Sequence, residues 1–369
     1  MKWIKLCLLL VLLISSFGYG IGVGFYTWFP FDKIRMAKKM LIPDRNSNAS
    51  LVGPVRVSKL PDKIISLNEQ LSIFEANRLR SSLLQSIVPN NEIDVSVTSN
   101  EEFEIFETSY YGINVRGKFY NALTKSSCLR IYIQGHSGSP DDFDYYHNLK
   151  DDFLNSGCDV LSLSMIGKGF NIGQVSFPTR FGSVILTEEG AANHESYSLF
   201  FDKENPNLDA LSIFLYPHMR LINYAINQEE YENISIMGIS GGGWYTVWLA
   251  ALMPELDISI SYAGSLPFIY TINKKNLMDW EQLYSPIYKS VSYLQLYQLM
   301  KLNEIGKQTR QSFLVYNDND PCCFSNPDAS DFKSKIDKLK FYPQVIIDDN
   351  DKHSMNEVII LRLLQHGQI

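Results

Sequence analysis

The chain has 369 residues, 45% of them apolar and 20% charged, a balance that suits a folded globular protein and excludes a largely disordered one. A formal net charge of -7 excludes a nucleic-acid partner held by a basic surface. Five cysteines without a CxxC pair and six scattered histidines are no disulfide scaffold and show no zinc-ligand spacing, so neither a metal nor a cofactor is expected.

The N-terminus reads as a membrane segment. Behind Lys2 and Lys5, residues 6–31 carry no charge and exceed the about 20 residues that cross a bilayer. Tyr26, Trp28 and Phe29 sit where interfacial aromatics belong, and Lys33, Arg35, Lys38 and Lys39 follow them,. An uncleaved signal-anchor is expected; the alternative is a secretory signal cut after Gly18 or Gly20. Gly18/Gly22 and Gly20/Gly24 form overlapping GxxxG spacings, which would allow a homodimer through the anchor helix.

Residues 44–60 are polar, contain Pro and Gly, and read as a linker. Residues 66–88 predict a helix capped by Ser66 with Glu69 three positions on, and with Leu71, Ile73, Phe74, Leu79, Leu83 and Leu84 on its apolar face. From about 101 the pattern changes. A hairpin is expected over 102–110 and 113–120, turning at Tyr111-Gly112. Strands follow at 130–134, 160–165, 234–237, 258–262, 313–316 and 345–347. Helices are expected at 143–155, 208–227, 242–253 and 356–364. Short apolar strands alternating with helices predict an α/β fold with a mostly parallel sheet covered on both faces. The chain thus divides into an anchor (1–31), a linker with a helical appendage (32–100) and a catalytic domain (101–369).

The chemistry centres on Gly238-Ile239-Ser240-Gly241-Gly242. This GxSxG lies between an expected strand and an expected helix. A turn that sharp strains the serine backbone and exposes its hydroxyl at a helix N-terminus, where the Gly241 N–H can face a developing oxyanion. In this context the chain resembles the α/β-hydrolase superfamily of serine hydrolases over roughly 101–369. The resemblance implies a second oxyanion amide from the loop Gln134-Gly135-His136-Ser137-Gly138, with Ser137 the first choice and His136 the second. The family commonly carries His-Gly here, whereas this chain carries Gly-His. Met165-Ile166-Gly167-Lys168-Gly169 is similar to the family's Met-Pro-Gly-x-Gly loop.

The acid and base must follow the serine in that order. In Asn317-Asp318-Asn319-Asp320 the family pattern assigns the acid to Asp320, with Asp318 as competitor. His353, in the loop between the last strand and last helix, is the expected base. His194 and His218 precede the serine, and His366 lies near the tail. The resemblance implies a serine hydrolase acting on a small-molecule or glycan ester through an acyl-enzyme. The alternatives are an acyltransferase using the same triad and a non-catalytic interaction protein that keeps the fold. Two inserts, 170–205 and 265–310, would shape the pocket. The second, rich in Tyr, Leu and Trp, suggests a lid or acyl groove, or else an oligomer contact. Cys128 and Cys158 each lie seven residues before a strand end, Gly135 and Met165. In the family's sheet those strands are neighbours, so a disulfide is geometrically open, but two buried free thiols are the ordinary expectation. A ring closed by Cys322-Cys323 would be a rare feature. The export-like N-terminus puts the catalytic domain outside the cytoplasm.

Overall fold

The computed structural model describes residues 67–124, 127–271, 279–283, 285–302 and 310–366. The anchor expected at 1–31 and the linker at 44–60 lie outside these. No helix among the described residues is long and apolar enough to cross a membrane.

The strands are β1 (Val95–Ser99), β2 (Glu104–Tyr110), β3 (Ile113–Tyr120), β4 (Cys128–Gln134), β5 (Cys158–Ser164), β6 (Val175–Thr179), β7 (Gly182–Leu186), β8 (Asn233–Ile239), β9 (Ile258–Tyr262), β10 (Gln311–Asn317) and β11 (Gln344–Asp348). Nine of them form one sheet in the order β1-β2-β3-β5-β4-β8-β9-β10-β11, and β6 and β7 form a separate hairpin. The pairings from β1 to β5 are antiparallel, and those from β5 to β11 are parallel. β1 is a strand the pattern did not predict. It lies at the sheet edge and is largely exposed, so no apolar alternation marks it. The β6–β7 hairpin occupies the insert at 170–205, where no regular structure was expected.

Alternation along the buried strands sends successive side chains to opposite faces. Leu129, Ile131 and Ile133 of β4 join one apolar core, while Cys128 and Tyr132 join the other. The first face is covered by α1 (Ile73–Ile87), then α3 (Leu211–Ile226), α4 (Gly241–Leu252) and α5 (Tyr293–Lys301). The second is covered by α2 (Asp144–Asn155), through Tyr146, Leu149 and Phe153, and by α7 (Glu357–His366), through Ile360, Leu363 and Leu364. A further helix, α6 (Asp328–Ile336), lies between β10 and β11 in the chain.

Helix α1 starts later than its sequence suggested. Ser72 is the cap, and its side chain and that of Glu75 satisfy each other's backbone amides. Two S-x-x-E windows compete here. The chain before Ser72 is held off the helix by a hydrogen bond from the Leu71 amide to Gln298 Oε1 at 2.7 Å. The buried stripe is Ala76, Arg80, Leu83 and Ile87, while Ile73 and Phe74, expected on that face, are exposed. Arg80 gives the helix a function in packing. Its guanidinium donates to Ala251 O at 2.9 Å, Leu299 O at 3.2 Å and Leu302 O at 3.0 Å. Arg310 donates to Ala250 O at 2.7 Å, Met253 O at 3.1 Å and Leu256 O at 2.6 Å. All these carbonyls lie at or just beyond the C-terminal ends of α4 and α5, where helices leave acceptors unsatisfied and favour cations. Every residue of α4 is buried, so water cannot substitute.

Cys128 and Cys158 are direct partners in the parallel register of β4 and β5. Contrary to the expectation of free thiols, they form a disulfide, with Cα atoms 4.7 Å apart. The register explains it, since it brings two buried sulfurs level with each other at the N-terminal ends of neighbouring strands. Cys322 and Cys323 also form a disulfide.

Arg80→Ala should lower unfolding stability by roughly 2–4 kcal/mol, because it strands buried carbonyls without supplying a donor. Urea denaturation followed by tryptophan fluorescence checks this; a loss below about 0.5 kcal/mol would contradict the proposed capping role.

Candidate active site

The parallel strands end on one edge of the sheet. Between β4 and β8 the chain's order reverses, since β5 lies on one side of β4 and β8 on the other. Such a switch point leaves a crevice beyond the strand ends where ligands bind in open α/β sheets. Gln134 ends β4 there, and Ile239 ends β8.

Ser240 is the single residue between β8 and α4, with φ 56° and ψ -126°. A non-glycine residue at positive φ stores about 1–3 kcal/mol and needs its surroundings to hold it. Its amide donates to Tyr262 O at 2.9 Å, and its carbonyl accepts from Trp244 N at 3.0 Å. The close approach beneath it requires glycine. A Cβ on Gly242 would lie 1.9 Å from the Ile133 carbonyl oxygen of β4. The loop after β4 presses on the same turn, since a Cβ on Gly135 would meet Ser240 Cβ at 2.8 Å.

The other expected members meet each other beyond the ends of β10 and β11. Asp320 follows β10, and His353 lies between β11 and α7. His353 Nδ1 and Asp320 Oδ2 are 2.8 Å apart; the carboxylate side chain is fully buried, while the imidazole is 21% exposed. Asp320 Oδ1 accepts from the Cys322 amide at 2.8 Å and the Cys323 amide at 3.2 Å. Burial works to raise the Asp320 pKa, but the hydrogen bonds from His353 and from these amides outweigh it and hold the carboxyl below its ordinary value,. Asn317, fully buried, joins the two loops. Its Nδ2 donates to Asp320 Oδ2 at 3.2 Å, Lys352 O at 2.8 Å and Ser354 O at 3.2 Å. Asp318 is engaged elsewhere, accepting from Asn326 Nδ2 and from Asn319 Nδ2 at 3.0 Å. Among the described residues no hydrogen bond joins Ser240 Oγ to the imidazole; general-base catalysis requires that contact when substrate is bound.

In the β4 loop, Ser137 Oγ accepts from Gln134 Nε2 at 3.2 Å. The His136 ring lies against the start of α4, where a Cβ on Gly241 would meet its Cε1 and Nδ1 at 2.7 Å. Beside this loop a cavity of about 520 Å³ is lined by His136, Ser137, Lys168, Ile172, Glu188 and Glu189, among others. The insert at 170–205 therefore supplies one wall. Tyrosines of the insert at 265–310 are turned into the core. Tyr288, Tyr293 and Tyr297 are at most 2% exposed. Tyr288 Oη accepts from Trp244 Nε1 at 3.0 Å and Trp248 Nε1 at 3.1 Å, and donates to Glu281 O at 2.8 Å. These aromatics complete the core around α4, a helix buried on all sides that needs cover all round.

Three residues near the site carried no motif. His194, Glu281 and Asp279 gather at His136, far apart in the chain. Burial opposes charge on both His194 and Glu281, yet their mutual attraction, with His136 and Asp279 adding to it, holds the Glu281 carboxyl well below the usual carboxylate range and the His194 imidazole above its own. No spacing in the sequence predicts this cluster. His218, by contrast, is a core residue, buried between the Phe214 and Ser164 carbonyls, and burial pushes its pKa down to about 4.

No protein-family model matches the chain, and no curated protein does. Solved structures match by shape. Acetyl xylan esterase 1 from Thermoanaerobacterium sp. JW/SL YS485 is similar with a TM-score of 0.50 at 16% identity, over 86% of this chain and 100% of its own. An acetyl xylan esterase from Paenibacillus sp. R4 gives 0.51 at 14%, over 85% and 99%. Methylesterase BT1017 gives 0.54 at 15%, over 80% of this chain and 63% of its own. At such identities the likeness is one of architecture: the chain has the α/β-hydrolase fold, with a mostly parallel central sheet.

Two substitutions separate the carboxylates. Asp320→Asn should cut kcat by about four orders of magnitude, because the imidazole loses the charge that sets its tautomer. Asp318→Asn should leave activity within about tenfold; ester hydrolysis by the two variants, measured side by side, decides between them. Asp320 also carries a pH signature. Its folded pKa is depressed, so its stabilising contribution is fully present above the unfolded value of about 3.9 and is lost as pH falls through the lower folded value. Asp320→Asn should therefore flatten the acid limb of stability below about pH 4, as read from urea midpoints across pH.

Proposed function

We propose that this chain is a serine hydrolase that cleaves carboxylic esters or O-acetyl groups through an acyl-enzyme. The observation that carries the proposal is the His353–Asp320 pair at 2.8 Å in a fold whose strand-to-helix turn strains Ser240 to φ 56°. Asp320 accepts the hydrogen bond from His353 Nδ1–H, which fixes the tautomer and leaves Nε2 as the base that deprotonates Ser240. The serine attacks the ester carbonyl, the alcohol leaves with the proton from His353, and water repeats the sequence to release the acid. The Gly241 amide and an amide of the His136–Ser137 pair are the proposed oxyanion donors.

The cavity beside the β4 loop supports a polar substrate. Lys168, Glu188, Glu189 and His136 line it, which suits a hydroxyl-rich alcohol better than a long acyl chain. That two of the similar structures are named acetyl xylan esterases agrees with an acetylated carbohydrate as the class to test first. We further propose that residues 1–31 anchor the protein and that the catalytic domain faces an oxidising compartment. The Cys128–Cys158 and Cys322–Cys323 disulfides support this, because cytosolic thiols are kept reduced.

Ser240→Ala should fold normally by circular dichroism and lose all labelling by a fluorophosphonate probe, together with nearly all hydrolysis of acetylated sugars and short acyl esters. Labelling that persists in the variant would sink the assignment.

A further inference from the structure

The cluster at His136 has the composition and spacing of a metal site. His136 Nε2 lies 3.3 Å from His194 Nδ1, 3.3 Å from Glu281 Oε1 and 3.2 Å from Asp279 Oδ2. His194 Nδ1 lies 3.0 Å from Glu281 Oε1. Zinc bonds to nitrogen and oxygen of about 2.0–2.1 Å, arranged tetrahedrally, set neighbouring donors about 3.3 Å apart. The separations here are close to that edge.

Hydrogen-bond accounting points the same way. His194 Nε2 is 2.9 Å from the Ile166 carbonyl, which can only accept, so Nε2 carries a proton. Nδ1 then faces the Glu281 carboxylate and His136 Nε2. These atoms converge on one point, which a proton on the imidazole or a metal ion can occupy. A ligating histidine that passes its other N–H to a backbone carbonyl is the usual outer-shell arrangement of zinc sites. Glu281 adds an independent sign. Its side chain is 0% exposed, and its Oε2 has no hydrogen-bond partner among the described residues. A buried carboxylate oxygen with no donor is costly, and coordination to a metal would remove that cost.

We propose that His136 Nε2, His194 Nδ1 and the Glu281 carboxylate bind one Zn²⁺ ion. Two imidazoles and a carboxylate suit zinc among the divalent metals. The site acts as a clip. It fastens the loop after β4 to the turn at His194–Leu199 and to the segment at 279–283. His136 stands between Gly135, which abuts Ser240, and Ser137. The ion is therefore placed to hold the loop beside the nucleophile. This proposal does not depend on the hydrolase assignment, because metal binding is read directly.

The test uses full-length protein without a histidine tag, stripped with chelator and titrated with Zn²⁺ or Co²⁺. One equivalent of zinc should remain after gel filtration, measured by elemental mass spectrometry. Cobalt should give the visible absorption of a tetrahedral site, and zinc should raise the thermal midpoint by several degrees. His136→Asn removes a ligand that is partly exposed, so the variant should fold. It should weaken zinc binding by more than the roughly tenfold to hundredfold that loss of an outer-shell partner costs. Glu281→Gln should abolish it. Wild-type protein that retains no zinc, or a folded His136→Asn variant that binds it as tightly as wild type, would overturn the site and leave an imidazolium–carboxylate cluster in its place. Zinc binding that survives in Ser240→Ala, with hydrolysis lost, would separate this site from the triad.

Discussion

The backbone of Ser240 is where the demands on this structure meet. One residue must end a buried strand, reverse direction and begin a buried helix, and it does so at φ 56°. That turn is possible only if helix α4 lies directly on β4, so close that the Ile133 carbonyl occupies the space a Gly242 side chain would need. The strain is then held by hydrogen bonds to β9 and to the first turn of the helix. The far end of the same helix is held by Arg80 and Arg310, which reach its terminal carbonyls from separate parts of the chain. A helix apolar on every side and pinned at both ends cannot shift to relieve the turn. The serine hydroxyl is therefore presented at a fixed place above the sheet.

The acid and base depend on a different device. Asp320 and His353 come from the loops that follow β10 and β11, and the β10–β11 register places Asn317 opposite Asp348. Asn317 then ties the acid turn to the histidine loop through three acceptors. The disulfide partners Cys322 and Cys323 contribute their amides to the carboxylate. A buried carboxylate normally favours its neutral form. Here donors on both oxygens keep it ionised, as an orienting group for an imidazole must be.

The insert between β9 and β10 shows how one composition can serve opposite ends. Tyr288, Tyr293 and Tyr297 have the chemistry of an acyl groove, yet they are spent on covering α4, and the Tyr288 and Tyr293 hydroxyls are satisfied by Trp248 and by backbone carbonyls. Walls for the cavity come instead from the polar insert around 167–192. The same covering insert carries Asp279 and Glu281 to His136 and His194, so that the packing of α4 and the charge cluster beside the β4 loop share one segment.

Much of this was legible in the residues. Each expected strand and helix from 101 onward has a counterpart, because buried parallel strands are short apolar runs and the helices between them repeat at their own period. Ser240, Asp320 and His353 could be named because a strained turn demands GxSxG and because strand ends impose an order along the chain. Other features had no local cause. The cap of α1 was decided by where Leu71 is tied to Gln298, since two windows of the same sequence type compete. The Cys128–Cys158 bond follows from strand register, and register is a relation between strands that neither one contains. The gathering of His136, His194, Asp279 and Glu281 is likewise a property of three segments packed together. Periodicity and turn chemistry act over a few neighbouring residues and can be read from the chain; which distant side chains share a buried space is settled only when the layers close.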